Sequence, residues 1–295
     1  MIRLDAATFF LQWATGGLLF LWVTTRGRLV GIGYGWLLRG VYATIAIGGI
    51  LCALITQVVL VREVAAGALV LGALAAFVVS IIRKDAGVSG QRLEAERKKS
   101  RVAAMSGAAI TMRDQFGRAV ADEERVVLAD RREFPPVLDL IAPACGLVGI
   151  VAGAWAAGGN HWLAIARIVV GALFLGAVSD AMLLGHWYLV QPGLPRTPIH
   201  ELNNWLLRIW PLEVALLLVP TGMISAITGS VDDGWSGMLT WFWVASALAT
   251  GVLAWVTRIA LKERFYSAVM AATGFLYLAI LMAFATDLVA RAVLS

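Results

Sequence analysis

The feature that most constrains this chain is a series of apolar blocks, each about twenty residues long, which is the length of a membrane-spanning helix. An α-helix rises about 1.5 Å per residue, so a block of this length matches the hydrocarbon thickness of a bilayer. Inside lipid the backbone must satisfy its own hydrogen bonds, and a helix does so within one segment. The composition agrees, because 60% of the residues are hydrophobic and the mean hydropathy is +0.81. The sequence therefore predicts an all-α fold, a polytopic membrane helical bundle.

The blocks predict about eight transmembrane helices in a chain of three parts. Residues 1–83 carry predicted transmembrane helices 1–3, residues 84–136 form a cytoplasmic basic loop that is partly helical, and residues 137–295 carry helices 4–8. The glycine-rich stretch 31–35 is predicted as a flexible turn between the first two spans. The predicted spans are 6–25, 41–61, 63–82, 137–157, 162–190, 206–228, 236–257 and 266–290.

The basic residues predict the orientation of the bundle. Half of the Lys and Arg residues lie between residues 83 and 132, and the other connections on that side are also basic. The opposite side has few basic residues and carries the acidic turn Asp232-Asp233. By the positive-inside rule, the loop is cytoplasmic and both termini lie outside the plasma (inner) membrane. Topology and lipid headgroups thus explain the net charge of +5 without a nucleic-acid partner.

The cytoplasmic loop is predicted to touch the membrane surface or a partner. Its segment 91–101 is typical of a charged helix, and segment 119–128 of a second helix with some apolar face. The basic residues expected to make the contact are Arg97, Lys98, Lys99 and Arg101. Anionic lipid headgroups are the first expected partner, and a docking protein is the alternative.

Short recurring segments predict an internal duplication. The segment Trp-Leu-Leu-Arg occurs at 36–39, just before the predicted second span, and again at 205–208, where the predicted sixth span begins. Upstream, segment 19–22 aligns with segment 184–187 at nearly the same offset. Spans one to four would then repeat as spans five to eight in the same orientation. The sequence therefore predicts two parallel four-helix repeats.

Ionisable residues inside the spans mark the candidate site, because such residues are costly in lipid and usually face a cavity or a partner. Asp180 and His186 lie in the fifth span and Glu213 in the sixth, while Asp139 enters the fourth span from the cytoplasm. We expect them to form a cluster that opens to the cytoplasm, as a proton, cation or ligand pathway. The alternative is that the acids hold neighbouring helices together. Asp180 and His186 are six residues apart, so they point about 120° away from each other.

His186 raises the question of a cofactor. A membrane haem b needs two inward histidines at similar depth, and only His186 lies inside a predicted span. His161 is expected at the opposite surface and His200 in a surface helix. A haem therefore lacks its second histidine, and a hydrogen-bonded or quinone-facing His186 is the stronger prediction. No spacing typical of a metal site is present.

A second polar group is predicted at the cytoplasmic surface. Thr197, as N-cap, and Pro198, as the first helical residue, are predicted to begin a helix lying on the membrane. His200, Asn204 and Arg208 recur at i, i+4 and i+8, so they line one helical face. The group consists of His200, Glu201, Asn204 and Arg208.

These observations favour three functions. The first is a non-catalytic subunit of a membrane energy-transducing or redox complex, in contact with lipids and other membrane subunits. The second is a small proton- or cation-coupled transporter that uses Asp180, Glu213 and His186. The third is a membrane enzyme that acts on a lipid or another lipophilic substrate at the surface group.

Overall fold

The computed structural model describes residues 5–84, 88, 133–191, 194–219 and 222–294. Within these ranges the regular structure is helical and no strand occurs. Seven of the described helices are long and apolar enough to cross a membrane. The chain is therefore a multi-pass membrane protein built as a helical bundle.

The long helices are numbered here in chain order. They are α1 Ala6–Thr25, α2 Ile32–Ile55, α3 Leu60–Ile82, α4 Ile141–Ala156, α5 His161–Val190, α6 Thr197–Leu218, α7 Met238–Ala260 and α8 Tyr266–Leu294. A 3-10 turn, Pro136–Leu140, leads directly into α4, and a single helical turn, Met223–Ile227, follows α6. Among the described long helices, α6 is the one that falls outside the seven apolar ones, because polar residues such as Asn203 and Arg208 occupy its first half.

The prediction of a turn at residues 31–35 is wrong, because α2 begins at Ile32. The glycines allow large side chains to lie close to the helix backbone, and they do not mark a change in chain direction. A Cβ added to Gly33 would lie 3.3 Å from the Trp187 ring, and one added to Gly35 would lie 2.8 Å from the Arg39 guanidinium. The helix therefore keeps both glycines to make room for these large side chains.

The predicted surface helix and sixth span are one continuous helix, α6, which ends at Leu218 rather than at residue 228. The helix starts one residue earlier than predicted, since Arg196 occupies the N-cap and Thr197 is already helical. Pro198 still falls in the first turn. Backbone N–H groups in the first turn have no intrahelical acceptor, so proline costs the helix no hydrogen bond there. Because residues 197–205 form the first turns of the same helix and not a separate surface helix, the later residues of α6 lie closer to the opposite end of the bundle.

Successive helices run in opposite directions, so their connections fall at two ends. We call the end with the α1–α2, α5–α6 and α7–α8 connections and residues 83–135 the loop end. The other, with Asp5 and the α2–α3, α4–α5 and α6–α7 connections, is the terminal end. Contacts between helix ends fit this arrangement, because Arg26 pairs with Glu201 at the loop end and Arg62 pairs with Asp5 at the terminal end.

Helices α1 and α5 form the centre of the bundle and touch through their backbones. A Cβ added to Gly16 would lie 1.8 Å from the carbonyl oxygen of Ala172, and one added to Gly176 would lie 2.2 Å from the Gly16 carbonyl carbon. In lipid, helix association relies on such close packing of small residues. Burying apolar surface contributes little free energy there, because the lipid tails are apolar too. The other helices surround this pair: α2 and α4 pack on α1, α6 and α8 pack on α5, and α3 and α7 lie outside them.

Gly176→Ala tests the backbone contact. We expect it to lower the unfolding free energy by about 1–3 kcal/mol, the usual cost of overpacking, because the new methyl group would overlap the backbone of α1. The measurement is the unfolding midpoint of purified protein in mixed detergent micelles titrated with a denaturing detergent. Gly67→Ala is the control, since a Cβ at Gly67 meets open space. Equal stability of the two variants would contradict the tight α1–α5 crossing.

An acidic cap fixes the start of α7 outside the membrane-spanning segments. Asp233 accepts hydrogen bonds from the backbone amides of Thr240 at 3.0 Å, Gly237 at 2.8 Å and Trp235 at 3.0 Å, and from the Thr240 hydroxyl at 3.1 Å. These bonds, led by the one from the Thr240 amide, favour the ionised form and hold the pKa of Asp233 at about 2. The carboxylate thereby ties the turn before α7 to the helix and satisfies the amide of Thr240, which the first turn of a helix leaves without an intrahelical partner.

Asp233→Asn should lower the melting temperature in detergent at neutral pH by removing this charged cap. Because the folded pKa is depressed, the contribution of the carboxylate is fully present above its unfolded value near 4 and is lost as pH falls through about 2. The difference between variant and wild type should therefore be constant from pH 5 to pH 8 and shrink below pH 4. Asp232→Asn, which removes a carboxylate with one amide donor, is the control. A difference that grows on acidification would refute the cap.

Candidate functional site

Four buried ionisable side chains and one buried amide collect where α1, α5, α6 and α8 meet near the terminal end. We call them the terminal cluster, which consists of Gln12, Arg167, Glu213, Asp287 and Arg291. Arg291 donates from Nε to Asp287 Oδ2 at 2.8 Å, one turn back on α8, and from Nη2 to the side-chain oxygen of Gln12. All but Arg167 are nearly inaccessible, and Arg167 itself is only 5% exposed. The cluster therefore concentrates two bases and two acids inside the bundle.

Arg167 holds the end of α6. Its Nε donates to the carbonyl oxygen of Leu216 at 2.8 Å and its Nη2 to that of Val219 at 3.2 Å. These carbonyls belong to the last turn of a helix, which has no intrahelical donors left for them. The guanidinium is thus engaged by neutral acceptors, although Glu213 is close enough to interact with its charge.

Glu213 is the exceptional member of the cluster. Its side chain is fully buried, and neither carboxylate oxygen accepts a hydrogen bond from a described residue. Its charged neighbours are Asp287, Arg291 and Arg167. A buried carboxylate without donors is expensive unless a proton or a counter-charge neutralises it, so Glu213 is a group whose ionisation would disturb its surroundings.

The expected cluster of Glu213, His186, Asp180 and Asp139 opening to the cytoplasm is not assembled among the described residues. Glu213 lies sixteen residues after the start of α6, about 24 Å from the loop end by helical rise. The predicted span began at 206, nine residues too late, and so placed Glu213 too close to the cytoplasmic side. The physical reason is that the polar first turns of α6 continue the same helix instead of lying on the membrane.

Asp180 forms a separate site in the middle of the bundle. Its side chain is fully buried and accepts a hydrogen bond at Oδ1 from the hydroxyl of Tyr42, while Oδ2 has no donor among the described residues. Tyr34 donates to the Asp180 carbonyl oxygen at 3.3 Å. Gly17 makes this arrangement feasible, because a Cβ there would lie 2.0 Å from the Tyr42 ring.

Two consecutive residues of α1 connect the two sites. Gln12 binds Arg291 of the terminal cluster, and the indole N–H of Trp13 donates to Ser179 Oγ at 2.9 Å, next to Asp180. Arg167 and Asp180 lie thirteen residues apart on α5, which corresponds to about 20 Å. Buried polar groups therefore follow the α1–α5 axis over a large part of the membrane thickness.

His186 faces away from Asp180, as their spacing on the helix predicts. It is exposed on the outside of the bundle, where its Nδ1 lies 3.2 Å from the Tyr277 hydroxyl and the two rings meet edge to face at 6.3 Å. The other two histidines lie elsewhere: His161 stacks on Trp155 at the terminal end, and His200 is in α6. These residues do not form the two-histidine ligand set that a membrane haem b needs.

Asp139 belongs to an ion pair at the loop end. It receives Nε of Arg39 at Oδ1, 2.8 Å away, and Nη2 at Oδ2, 2.9 Å away, and both side chains are 2% exposed. Thr25 adds a hydroxyl bond to Oδ2 at 3.1 Å, and Phe134 covers the guanidinium at 4.4 Å. Asp139 therefore neutralises a buried arginine at the end of the bundle opposite Glu213.

The members of the polar group predicted at the cytoplasmic surface are not joined by contacts with one another. Glu201 pairs with Arg26, and Arg208 lies over the ring of Trp205 at 5.8 Å. Within the described part of the chain, no hydrogen bond joins His200, Asn204 and Arg208 to one another. The neighbouring Asn203, not selected from the sequence, reaches the carbonyl oxygen of Ala254 in α7 at 3.0 Å. The four predicted loop contacts, Arg97, Lys98, Lys99 and Arg101, lie outside the described residues.

A polar cavity of about 270 Å³ opens at the terminal end, and its lining includes Asp5, Thr8, Arg62 and Arg291. Arg62 is itself fully engaged, because it pairs with Asp5 and Glu63 and donates to Thr8 Oγ1 at 2.9 Å. Since Arg291 also belongs to the terminal cluster, the cavity gives that cluster an approach from this end. In the sequence, Arg62 and Arg291 are recognisable only as charges that flank predicted spans. The i, i+4 spacing of Asp287 and Arg291 is nevertheless a signal for an ion pair on one helical face.

No known protein family, no curated protein and no solved structure matches this chain. Among the described residues, no group of three or more His, Cys, Asp or Glu side chains is arranged to hold a metal ion. The candidate site is therefore defined by the terminal cluster, by Asp180 with Tyr42, and by the polar residues of α1 between them.

Proposed function

We propose that this protein is a small proton-coupled transporter in which Glu213 and Asp180 bind the proton. The observation that carries the proposal is Glu213, a fully buried carboxylate that lacks a hydrogen-bond donor among the described residues and has two arginines as neighbours. Intramembrane acids that face a cavity or a partner are the usual proton carriers of transporters.

The surroundings of Glu213 provide a way to couple its protonation to movement. While Glu213 is neutral, Arg291 remains with Asp287 and Arg167 remains with the end of α6. An ionised Glu213 would compete for both guanidinium groups and weaken those contacts. Its charge state therefore biases the packing of α6 against α5 and α8, which is what a two-state switch requires.

The helix that carries Glu213 has a built-in weak point. Pro211 lies inside α6, two residues before Glu213, and cannot donate a backbone hydrogen bond to Leu207. Helices bend most readily at such positions. A change at Glu213 would thus act next to the place where α6 bends at lowest cost.

A cavity at the terminal end and buried hydrogen bonds directed towards the loop end support the same function. The cavity of about 270 Å³ reaches Arg291 from the terminal end. On the other side, Asp180 is linked through Tyr42 and Tyr34 to the loop-end half of α2. The two acids, which lie in separate sites on α5 and α6, would be loaded in turn from opposite sides of the membrane.

We further propose that α6 is the sixth of eight spans and that the chain consists of two parallel four-helix repeats. The packing of α2 and α4 on α1 resembles that of α6 and α8 on α5, with α1 and α5 in contact at the axis. The basic residues favour a cytoplasmic loop end and external termini in the plasma (inner) membrane. In this arrangement, the terminal cluster opens to the outside.

Glu213→Gln and Asp180→Asn test the transporter. In proteoliposomes loaded with a pH-sensitive dye, wild-type protein should dissipate an imposed proton gradient, and we expect each variant to lose at least about tenfold in rate, since an amide cannot release a proton. Infrared difference spectra after a pH jump should show a protonated-carboxyl band that disappears in Glu213→Gln. Glu263→Gln, an exposed position, is the control for charge removal. Equal rates and an unchanged band in a folded Glu213→Gln protein would reject the proposal.

The exposed pair His186 and Tyr277 favours a second function, the subunit of a membrane redox complex. These polar side chains face outward within the apolar part of α5 and α8, where lipid tails offer no hydrogen bonds. A quinone headgroup or a partner subunit would satisfy them.

Native mass spectrometry of protein extracted from its own membrane distinguishes the two functions. A complex subunit should carry an additional subunit or quinone mass, and that mass should be lost in His186→Leu and Tyr277→Phe. Met270→Leu, on the exposed face of the same helix α8, should retain it. A wild-type protein without any added mass would rule out this second function.

A further inference from the structure

We infer that the protein binds the phosphate group of an anionic ligand in a cleft at the loop end, with Arg39 as the buried donor. The cleft lies between the end of α1, the start of α2 and residues 133–136, and its cavity volume is about 40 Å³. Thr25, Arg28, Gly35, Arg39 and Phe134 are among the residues that line it. The site is at the opposite end from Glu213 and does not depend on the proposed transport function.

Arg39 presents an unused donor to this cleft. Its Nε and Nη2 bind Asp139, but Nη1 has no acceptor among the described residues although the side chain is 98% buried. A buried charged donor without an acceptor costs more than most lost hydrogen bonds. Phe134 fixes the plane of the guanidinium from one face, so Nη1 keeps a defined direction.

Gly35 keeps the space in front of this donor open. A Cβ at position 35 would lie 2.8 Å from Nη1 of Arg39. The residue is helical, so the turn geometry that usually calls for glycine does not explain it. Close approach to Arg39 does, and an approaching ligand oxygen would use the same space.

The start of α2 adds backbone donors next to the arginine. The N-cap Gly31 has no side chain to bond the first-turn amides, and Gly31 and Ile32 both line the cleft. A helix N-terminus offers free N–H groups and a partial positive charge, which suit a phosphate group. The buried arginine and the uncapped helix start therefore converge on one anion.

The charge of this corner also favours an anion. Three ion pairs, Arg26–Glu201, Arg28–Glu133 and Arg39–Asp139, lie here, and a fourth basic residue, Arg83, donates to the backbone carbonyl oxygen of Glu133. Arg28 is the most adaptable of them, because it is 45% exposed and holds Glu133 at 2.9 Å from a left-handed backbone conformation with φ of 51°. It can exchange this exposed pair, which is worth little, for a bound phosphate.

Phosphate groups at this level come from lipid headgroups or from a soluble compound. The cleft opens beside the ends of α1 and α2, where the headgroups of a bilayer lie. An anionic phospholipid is the source that the structure favours, because its phosphate would be held by Arg39 while its tails remain in the surrounding lipid. A soluble phosphate would use the same donors.

Binding to the full chain in detergent tests the inference. Native mass spectrometry would count retained phosphatidylglycerol, with phosphatidylcholine as the neutral comparison, and calorimetry would measure inorganic phosphate. Gly35→Ala should block Nη1 without removing the Arg39–Asp139 pair, and Arg28→Gln should remove the exchangeable cation. Each should weaken binding about tenfold or more, the loss expected for one hydrogen bond to a charged group. Gly40→Ala, on the same helix and facing open space, is the matched control.

The outcomes separate the two sources. Retention of phosphatidylglycerol by wild type and Gly40→Ala, with loss in Gly35→Ala and Arg28→Gln, supports a lipid phosphate. The same pattern with inorganic phosphate alone supports a soluble ligand at the same site. No binding of either probe, or equal binding by all four proteins, overturns the inference.

Discussion

The contact between the backbones of α1 and α5 is the constraint on which the rest of this bundle depends. Gly16 and Gly176 allow the two helices to approach until any side chain between them would overlap the other backbone. At that separation, the polar residues of α1 in the turn before Gly16 can reach partners on other helices. Trp13 thus meets Ser179, and Gln12 meets Arg291. The small residues do more than pack helices in lipid, since they also set the positions of the buried polar groups.

Most of the buried charged side chains have a partner, and two carboxylates have no ion-pair partner among the described residues. Arg39 with Asp139 and Arg291 with Asp287 are both paired at 2.8 Å, as the cost of a charge in a low-dielectric interior demands. Arg167 reaches helix-end carbonyls instead. Glu213 alone among the carboxylates of the terminal cluster has no donor in the described part of the chain. Asp180, in its separate site, accepts a hydrogen bond from Tyr42 but has no basic partner among the described residues. Two buried carboxylates without an ion-pair partner, in a bundle that pairs most of its buried arginines, are the groups that packing explains least.

The class of the fold could be predicted from the sequence because each membrane-spanning helix carries its own signal of length and apolarity. The direction of His186 relative to Asp180 could also be predicted, because both lie on one helix with a known period. Partners on different helices could not. Arg39 and Asp139 lie a hundred residues apart, and no local pattern shows that α2 and the 3-10 turn before α4 would meet. Glu213 was misplaced because its helix combines polar and apolar halves, so hydropathy located its start too late.

The polar character of α6 follows from its surroundings. A helix with Asn203, Pro211 and Glu213 would be a poor span if lipid covered it, but α6 packs between α5 and α7 and buries all but the outer face. Asn203 is satisfied by α7, and the last carbonyls of the helix are satisfied by Arg167 of α5. Its neighbours therefore supply the bonds that lipid cannot. The helix whose polar groups are satisfied by its neighbours is also the one that carries Glu213. A change in the charge of Glu213 would consequently be transmitted to α5 and α8 rather than absorbed within α6.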